Sequence, residues 1–450
     1  MALLVRNGKV YTEAGIRMVD ILIEEEVITR IESGIEVDAD TEILDATNCL
    51  ILPGIIDCHV HFNMKTLNGR TADNFETGSK SAAFGGVTTF IDYASPVEGL
   101  TMLESLRLRM EEVECHSFID YSFHMEVTGE FPQDLDQLKD IRESGINSFK
   151  IYTTYGNTEL PEDQVTELLI RAKSLGMMVT VHAEEDSIIS EIKKSFVQDG
   201  KTAPKFHGES RPASAEVEAV KRLIGMAENA GTPIYFVHIS TGDAAELIAE
   251  ARFKGLEIYG ETCPHYLLLT DSSYMGNEAQ KYIMSPPLRN QGNQDTLWKA
   301  IAEGVLQCIS TDHCAFTLGD KLSSESCFET IPGIGGVETS LSLIFTYGVL
   351  EERLTLEGLV NLMSTNPAKL FGLYPKKGTI SAGSDGDLII FDPNEEDVIK
   401  GKNLHSASAY SVFEGWKVKG KTKATVLRGR VICANGELLS TTPRGQFVKG

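Results

Sequence analysis

No CxxC pair and no framework spacing occurs among the eight cysteines, which are scattered from Cys49 to Cys433. That pattern excludes a disulfide-stapled scaffold. Most of these thiols lie in apolar runs, where cysteine behaves as a small buried hydrophobe, so reduced thiols and a cytoplasmic location are expected. Basic charge is also short: 41 Lys and Arg stand against 65 Asp and Glu, a net −24. Binding a phosphate backbone needs clustered Lys and Arg, so no nucleic-acid partner is expected. No run approaches the ~18 apolar residues of a spanning helix, so no membrane partner is expected either. The opening MALLVRNGKV has no basic stretch leading into a long apolar one, and no secretory signal is expected. Short repeats, low-complexity tracts and a Gly-rich phosphate loop are missing too, and the last of these counts against a doubly wound open sheet.

What is present is ordinary globular material. The 450 residues are 42% hydrophobic and 24% charged, enough for one large barrel and a modest second domain. Both ends read as short strands between turns: Leu3–Arg6, the turn at Asn7-Gly8, Ile21–Ile23 and Thr41–Leu44, then Asp387–Phe391, Ala424–Leu427 and Arg430–Cys433. The middle alternates differently. Eight apolar, β-branched runs are Ile51–Asp57, Val87–Tyr93, Phe118–Met125, Ile146–Tyr152, Met177–His182, Ile234–His238, Leu256–Glu261 and Val305–Thr311. Between several of them lie stretches of helical period such as Asp163–Leu175 and Ala213–Ala230. Near-continuous hydrophobic strands alternating with helices argue for a parallel sheet buried on both faces. The expectation is an α/β protein: a (β/α)8 barrel over residues 51–374, with a β-sandwich assembled from 1–50 and 375–450.

Metal-capable residues fall at the ends of run after run. The first closes on Asp57-Cys58-His59-Val60-His61, and residues i and i+2 of a strand share a face, so His59 and His61 can hold one ion together. Lys150 stands near the end of the fourth run, His182 ends the fifth, His238 the sixth, and Asp312 follows the eighth. The C-terminal rim is where barrel enzymes carry their active sites. Four imidazoles and one carboxylate are too few for two divalent ions at normal coordination. Lys150 supplies the missing bridge if its amine takes up carbon dioxide as a carbamate, an anionic bidentate ligand; burial beside cations favours the neutral amine that this needs.

With these residues in view, the chain resembles the amidohydrolase superfamily and, within it, the cyclic amidohydrolases: dihydropyrimidinase, hydantoinase, allantoinase and dihydroorotase. The resemblance rests on Pro53-Gly54-Ile55-Ile56-Asp57-Cys58-His59-Val60-His61, the segment Thr71 to Thr89, Thr262-Cys263-Pro264-His265-Tyr266-Leu267, Ser285-Pro286-Pro287-Leu288-Arg289, Asn366-Pro367-Ala368-Lys369 and Gly383-Ser384-Asp385-Gly386-Asp387-Leu388. It implies that His59, His61 and Asp312 bind the more buried ion and that His182 and His238 bind the more exposed one. It further implies that Lys150, carboxylated, bridges both ions together with a hydroxide. Zinc is the usual metal, and a homotetramer the usual assembly. In that chemistry the hydroxide attacks the ring amide carbonyl, and Asp312 carries its proton to the leaving nitrogen. The ring opens to an N-carbamoyl acid.

Within the group, dihydroorotases resemble an HxHxR pattern, and this chain has Asn63 where the arginine would stand. Dihydropyrimidinases and D-hydantoinases are more similar: Lys150 is followed five residues later by Tyr155, and Ser285 precedes Pro-Pro-Leu-Arg. There the tyrosine hydroxyl faces the developing oxyanion and the serine binds the imide edge of the ring. The segment Ile331-Pro332-Gly333-Ile334-Gly335-Gly336-Val337-Glu338 departs from that subgroup, being shorter and lacking its Asn, and looks closer to allantoinase or dihydroorotase. The rival from another class is a non-catalytic scaffold of the same fold, such as the collapsin-response mediator proteins, which have lost metal ligands. All six ligand positions are filled here.

Overall fold

A computed structural model describes residues 2–12, 14–66, 69–131 and 134–450. Eight parallel strands follow one another in chain order around one sheet: Ile55–Asp57, Val87–Ala94, Asp120–Glu126, Ser148–Tyr152, Met178–His182, Ile234–Phe236, Ile258–Thr262 and Cys308–Ile309. The last returns to the first. Val60 and His313 form a parallel bridge, and the Asp57 carboxylate accepts hydrogen bonds from Thr311 N at 3.1 Å and Thr311 Oγ1 at 2.6 Å. The result is a nearly closed (β/α)8 barrel. The connecting helices include Glu162–Leu175 and Ala213–Ala230, each stopped by a left-handed glycine, Gly176 at φ 63° and Gly231 at φ 62°.

The first predicted run, Ile51–Asp57, is two strands rather than one. Leu50–Pro53 pairs with Leu388–Val398 in a sheet of the chain ends, and Ile55–Asp57 enters the barrel. The break is at Gly54, where an added Cβ would lie 2.0 Å from Thr88 Oγ1, so the backbone runs directly against its neighbour. The run reads as continuous because both halves are buried, Ile51 among the side chains of the terminal sheets and Ile56 among those of the barrel interior. The eighth run also shortens, to Cys308–Ile309; the residues after it leave the ladder, and Asp312 takes a left-handed φ of 48°.

The chain ends build two further sheets. One has four strands in the order Val27–Glu32, Asp20–Glu24, Ala2–Arg6, Glu42–Asp45. The other has seven, from Glu437–Leu438 at one edge through Lys417–Leu427 and Leu388–Val398 to Gly15–Met18 at the other. Leu3, Val5, Ile21 and Ile23 from the first meet Ile51, Leu388, Ile390 and Val426 from the second, which is the sandwich core expected from both termini. The last residues dock on the chain's own barrel: Gly445 N donates to Ser117 O and Val448 N to Tyr121 O, each at 2.8 Å.

A buried ionic cluster joins the two parts. Lys377 Nζ lies 2.6 Å from Asp120, which opens the third barrel strand, and 2.6 Å and 2.9 Å from Asp387 and Asp385 beside the terminal sheet. Arg428 adds a second cation to Asp120. Burial alone would lower the lysine pKa, but Asp387, Asp120 and Asp385 hold it well above the usual range. Removing one partner of a buried ion cluster costs about 3–5 kcal/mol. Lys377→Met is therefore expected to lower the unfolding free energy by that amount, seen as a lower urea midpoint at unchanged slope. An unchanged midpoint would show that this cluster does not hold barrel and sandwich together.

Candidate metal centre

The strand ends converge on a cavity of about 600 Å3 lined by His59, His61, Lys150, His182, His238 and Asp312. His59 Nε2 and His61 Nε2 are 3.2 Å apart, and Asp312 Oδ1 is 3.2 Å and 3.1 Å from them. His182 Nδ1 faces His238 Nε2 at 2.9 Å. His59, His238 and Asp312 each offer a ligand atom, all within 4.8 Å of one another. His238 and Asp312 both sit at left-handed φ, 39° and 48°, a strained backbone that aims their side chains inward.

Two buried carboxylates aim the rings. Glu261, at the end of the seventh strand, accepts from His59 Nδ1 at 2.5 Å, from His238 N at 3.2 Å and from Tyr235 OH at 2.7 Å. Glu184 accepts from His182 Nε2 at 2.8 Å and is itself gripped by Arg211 at 3.1 Å and 2.5 Å. Each bond places a proton on the outer nitrogen and leaves the inner lone pair facing the cavity, the usual second partner of a metal-binding histidine. Sequence reasoning assigned neither glutamate a role. The only signal was an acid at the end of an otherwise apolar run, Glu261, and one two residues past His182, Glu184.

The inner atoms demand a positive charge. Burial alone would lower the His59 pKa, but Asp312 and Glu261 raise it to about 9. Burial would raise Asp312, but His59 and His61 hold it well below the usual carboxylate range. A cation among these lone pairs satisfies both, so the donor set fits a divalent ion.

Lys150 is fully buried and forms no salt bridge among the described residues; its ammonium lies over the rings of Tyr93 at 5.2 Å and Tyr152 at 5.1 Å. Burial lowers its pKa to about 8. Tyr155 and Ser285 both line the cavity. The Tyr155 ring is 4.9 Å from that of His182, and Arg211 packs over it at 5.4 Å. Asp186 anchors the turn by accepting from Thr154 Oγ1 at 2.8 Å and from Tyr155 N at 3.1 Å.

Two other histidines near the mouth are structural. His124 bonds to Ser148 at 2.6 Å and Cys58 O at 3.0 Å, and burial lowers its pKa to about 3. His313 bonds to Asp73 at 2.9 Å and accepts from Gly336 N and Val337 N.

This geometry has close counterparts. D-phenylhydantoinase of Escherichia coli K12 is 38% identical over 453 residues, covering 100% of this chain and 98% of the relative. The crystal structure of dihydropyrimidinase from Brevibacillus agri NCHU1002 superposes with a TM-score of 0.96 at 36% identity, over 100% of this chain and 98% of that one. D-hydantoinase from Thermus sp. gives 0.96 at 37% identity, over 99% and 98%. The sequence pattern of the Amidohydrolase family matches residues 50–432, the stretch that carries all six candidate ligands, and the chain belongs to that family, in its cyclic-amidase group.

Proposed function

We propose that this protein hydrolyses a ring amide of the dihydropyrimidine or hydantoin class to an N-carbamoyl amino acid, with two divalent ions at the barrel mouth. One observation carries the reading: six ligand-type side chains from five strand ends line a single cavity, and one of them is a buried lysine with no salt bridge among the described residues. His59, His61 and Asp312 would hold one ion, His182 and His238 the other. Lys150, as the carbamate formed when its neutral amine adds to carbon dioxide and sheds a proton, would stand between them. The ions, zinc by family resemblance, supply Lewis acidity and lower the pKa of water.

The chain's own groups do the rest. Asp312, kept ionised, accepts a proton from the attacking water and passes it to the ring nitrogen as the C–N bond breaks. The Tyr155 hydroxyl donates to the oxyanion that develops on the carbonyl. Ser285, on the same cavity wall, binds the imide edge of the ring. Residues 51–374 act as the catalytic unit, with 1–50 and 375–450 as its companion. Eight free cysteines, seven of them buried, suit the cytoplasm. Assembly as a homotetramer follows from the resemblance, and sedimentation velocity measures it.

Metal-loaded protein assayed with dihydrouracil, 5-substituted hydantoins, allantoin and dihydroorotate is expected to turn over the first two. Turnover of allantoin alone would move the substrate to the allantoinase reading that the short Ile331–Glu338 segment favours.

Chelation is expected to remove about two ions per chain and all activity. Lys150→Ala should likewise lose activity, partly restored by a short-chain carboxylic acid; full activity without added acid would remove the bridge. Tyr155→Phe is expected to lower kcat by about 10²–10³, as for loss of one oxyanion donor, and an unchanged kcat would take Tyr155 out of the reaction.

A further inference from the structure

Two segments wall the side of the cavity where Ser285 stands: Met284-Ser285 and Pro332-Gly333. Neither belongs to a barrel strand, and their backbones carry carbonyls that must find donors. One side chain ties the two segments together. Lys321 ends the short helix Leu318–Lys321, which starts from a capping box between Thr317 and Asp320. Its ammonium has no exposure to solvent and donates to Ile283 O at 2.7 Å, Ile331 O at 2.7 Å and Gly333 O at 3.0 Å. Gly333 N closes the set by donating to Ile283 O at 3.0 Å.

Gly333 has little freedom apart from this tie. Its φ is 133°, and an added Cβ would lie 2.5 Å from Cys314 O. On the other segment, His207 Nε2 bonds to Met284 O at 2.7 Å. The carbonyls of Ile283, Met284, Ile331 and Gly333 are thus all drawn away from the cavity. The Ser285 hydroxyl lies on this wall as a side-chain group that can meet the ring.

A buried ammonium satisfied only by three backbone carbonyls is costly to keep, because those partners are dipoles and not charges. Apolar packing of the same volume would hold the segments together at less cost, but it would leave the carbonyls unpaired or free to turn inward. We propose that Lys321 is a positioning residue for substrate. It locks the 283–285 and 331–333 segments at one spacing and withholds the carbonyls of Ile283, Ile331 and Gly333, so that the ring edge meets the Ser285 hydroxyl rather than one of those acceptors. The inference rests on the ring-binding role proposed for Ser285. It explains how this chain keeps an ordered wall with the shortened Ile331–Glu338 segment.

The test uses full-length, metal-loaded Lys321→Met and Lys321→Gln. Three readouts are needed: KM and kcat for a 5-substituted hydantoin, metal content, and hydrogen–deuterium exchange resolved along the chain. For Lys321→Met the expected result is a KM raised about tenfold or more with kcat within about threefold, the signature of lost ground-state binding. Metal content should stay at the wild-type level, and exchange should rise at the Gly333 amide and its neighbours but not in the barrel strands. Lys321→Gln, which can still donate two hydrogen bonds, should fall between. Wild-type KM and wild-type exchange at Gly333 in a folded variant would overturn the proposal. So would faster exchange across the whole chain with KM unchanged, the mark of a purely structural pin. If Lys321→Met does not fold, Lys321→Gln decides on the same readouts. If the wild-type protein hydrolyses no cyclic amide, the functional reading falls, and exchange at 283–285 and 331–333 still decides whether Lys321 holds the wall.

Discussion

Lone pairs on His59 Nε2, His61 Nε2 and Asp312 Oδ1 face one another within 3.2 Å, and a second pair of imidazoles meets at 2.9 Å beside them. A cation among them stabilises that arrangement in a dry cavity, where like partial charges repel strongly. The surrounding structure keeps the lone pairs there. Glu261 takes the outer proton of His59 and also accepts from the backbone of His238, so one carboxylate aims ligands from two strands. Glu184 does the same for His182, with Arg211 behind it. At the seam the hydrogen bonds from Thr311 to Asp57 pin the strands that carry His59, His61 and Asp312 to each other. The backbone strain at His238 and Asp312 is sustained because these bonds over-determine their positions.

How much of this could be read from the sequence follows from what each feature looks like as a string. Barrel strands are near-continuous apolar runs, and the six candidate ligands stand at their ends, so both the alternation and the convergence at one rim were visible. The composite sandwich was visible as strand-like ends around a different middle. The crossing at Gly54 was not, because a chain passing from one buried core to another stays apolar throughout. Glu261 and Glu184 were not, because a carboxylate that aims an imidazole sits at no fixed spacing from it: Glu184 lies two residues from His182, but Glu261 lies on a strand far along the chain from His59. Lys321 was hidden for the same reason, since its partners are carbonyls that leave no mark in the residue string.

The three fully buried lysines show how the fold treats a buried ammonium. Lys377 has three carboxylates, and they hold its proton on. Lys321 has three carbonyls, enough to satisfy its hydrogens without neutralising its charge. Lys150 pairs with neither among the described residues; it lies against the rings of Tyr93 and Tyr152 among the candidate ligands. A cation left so poorly compensated is out of place unless the group spends its working life as something else. The proposed addition of carbon dioxide to the amine would exchange that positive charge for a negative one beside the imidazoles that would hold the ions. The same burial that makes the ammonium costly also frees the amine for that reaction. The contrast with Lys377 is the reason to treat this lysine as chemistry rather than as an ion pair: the fold can build a complete counter-ion shell, and at Lys150 it has not.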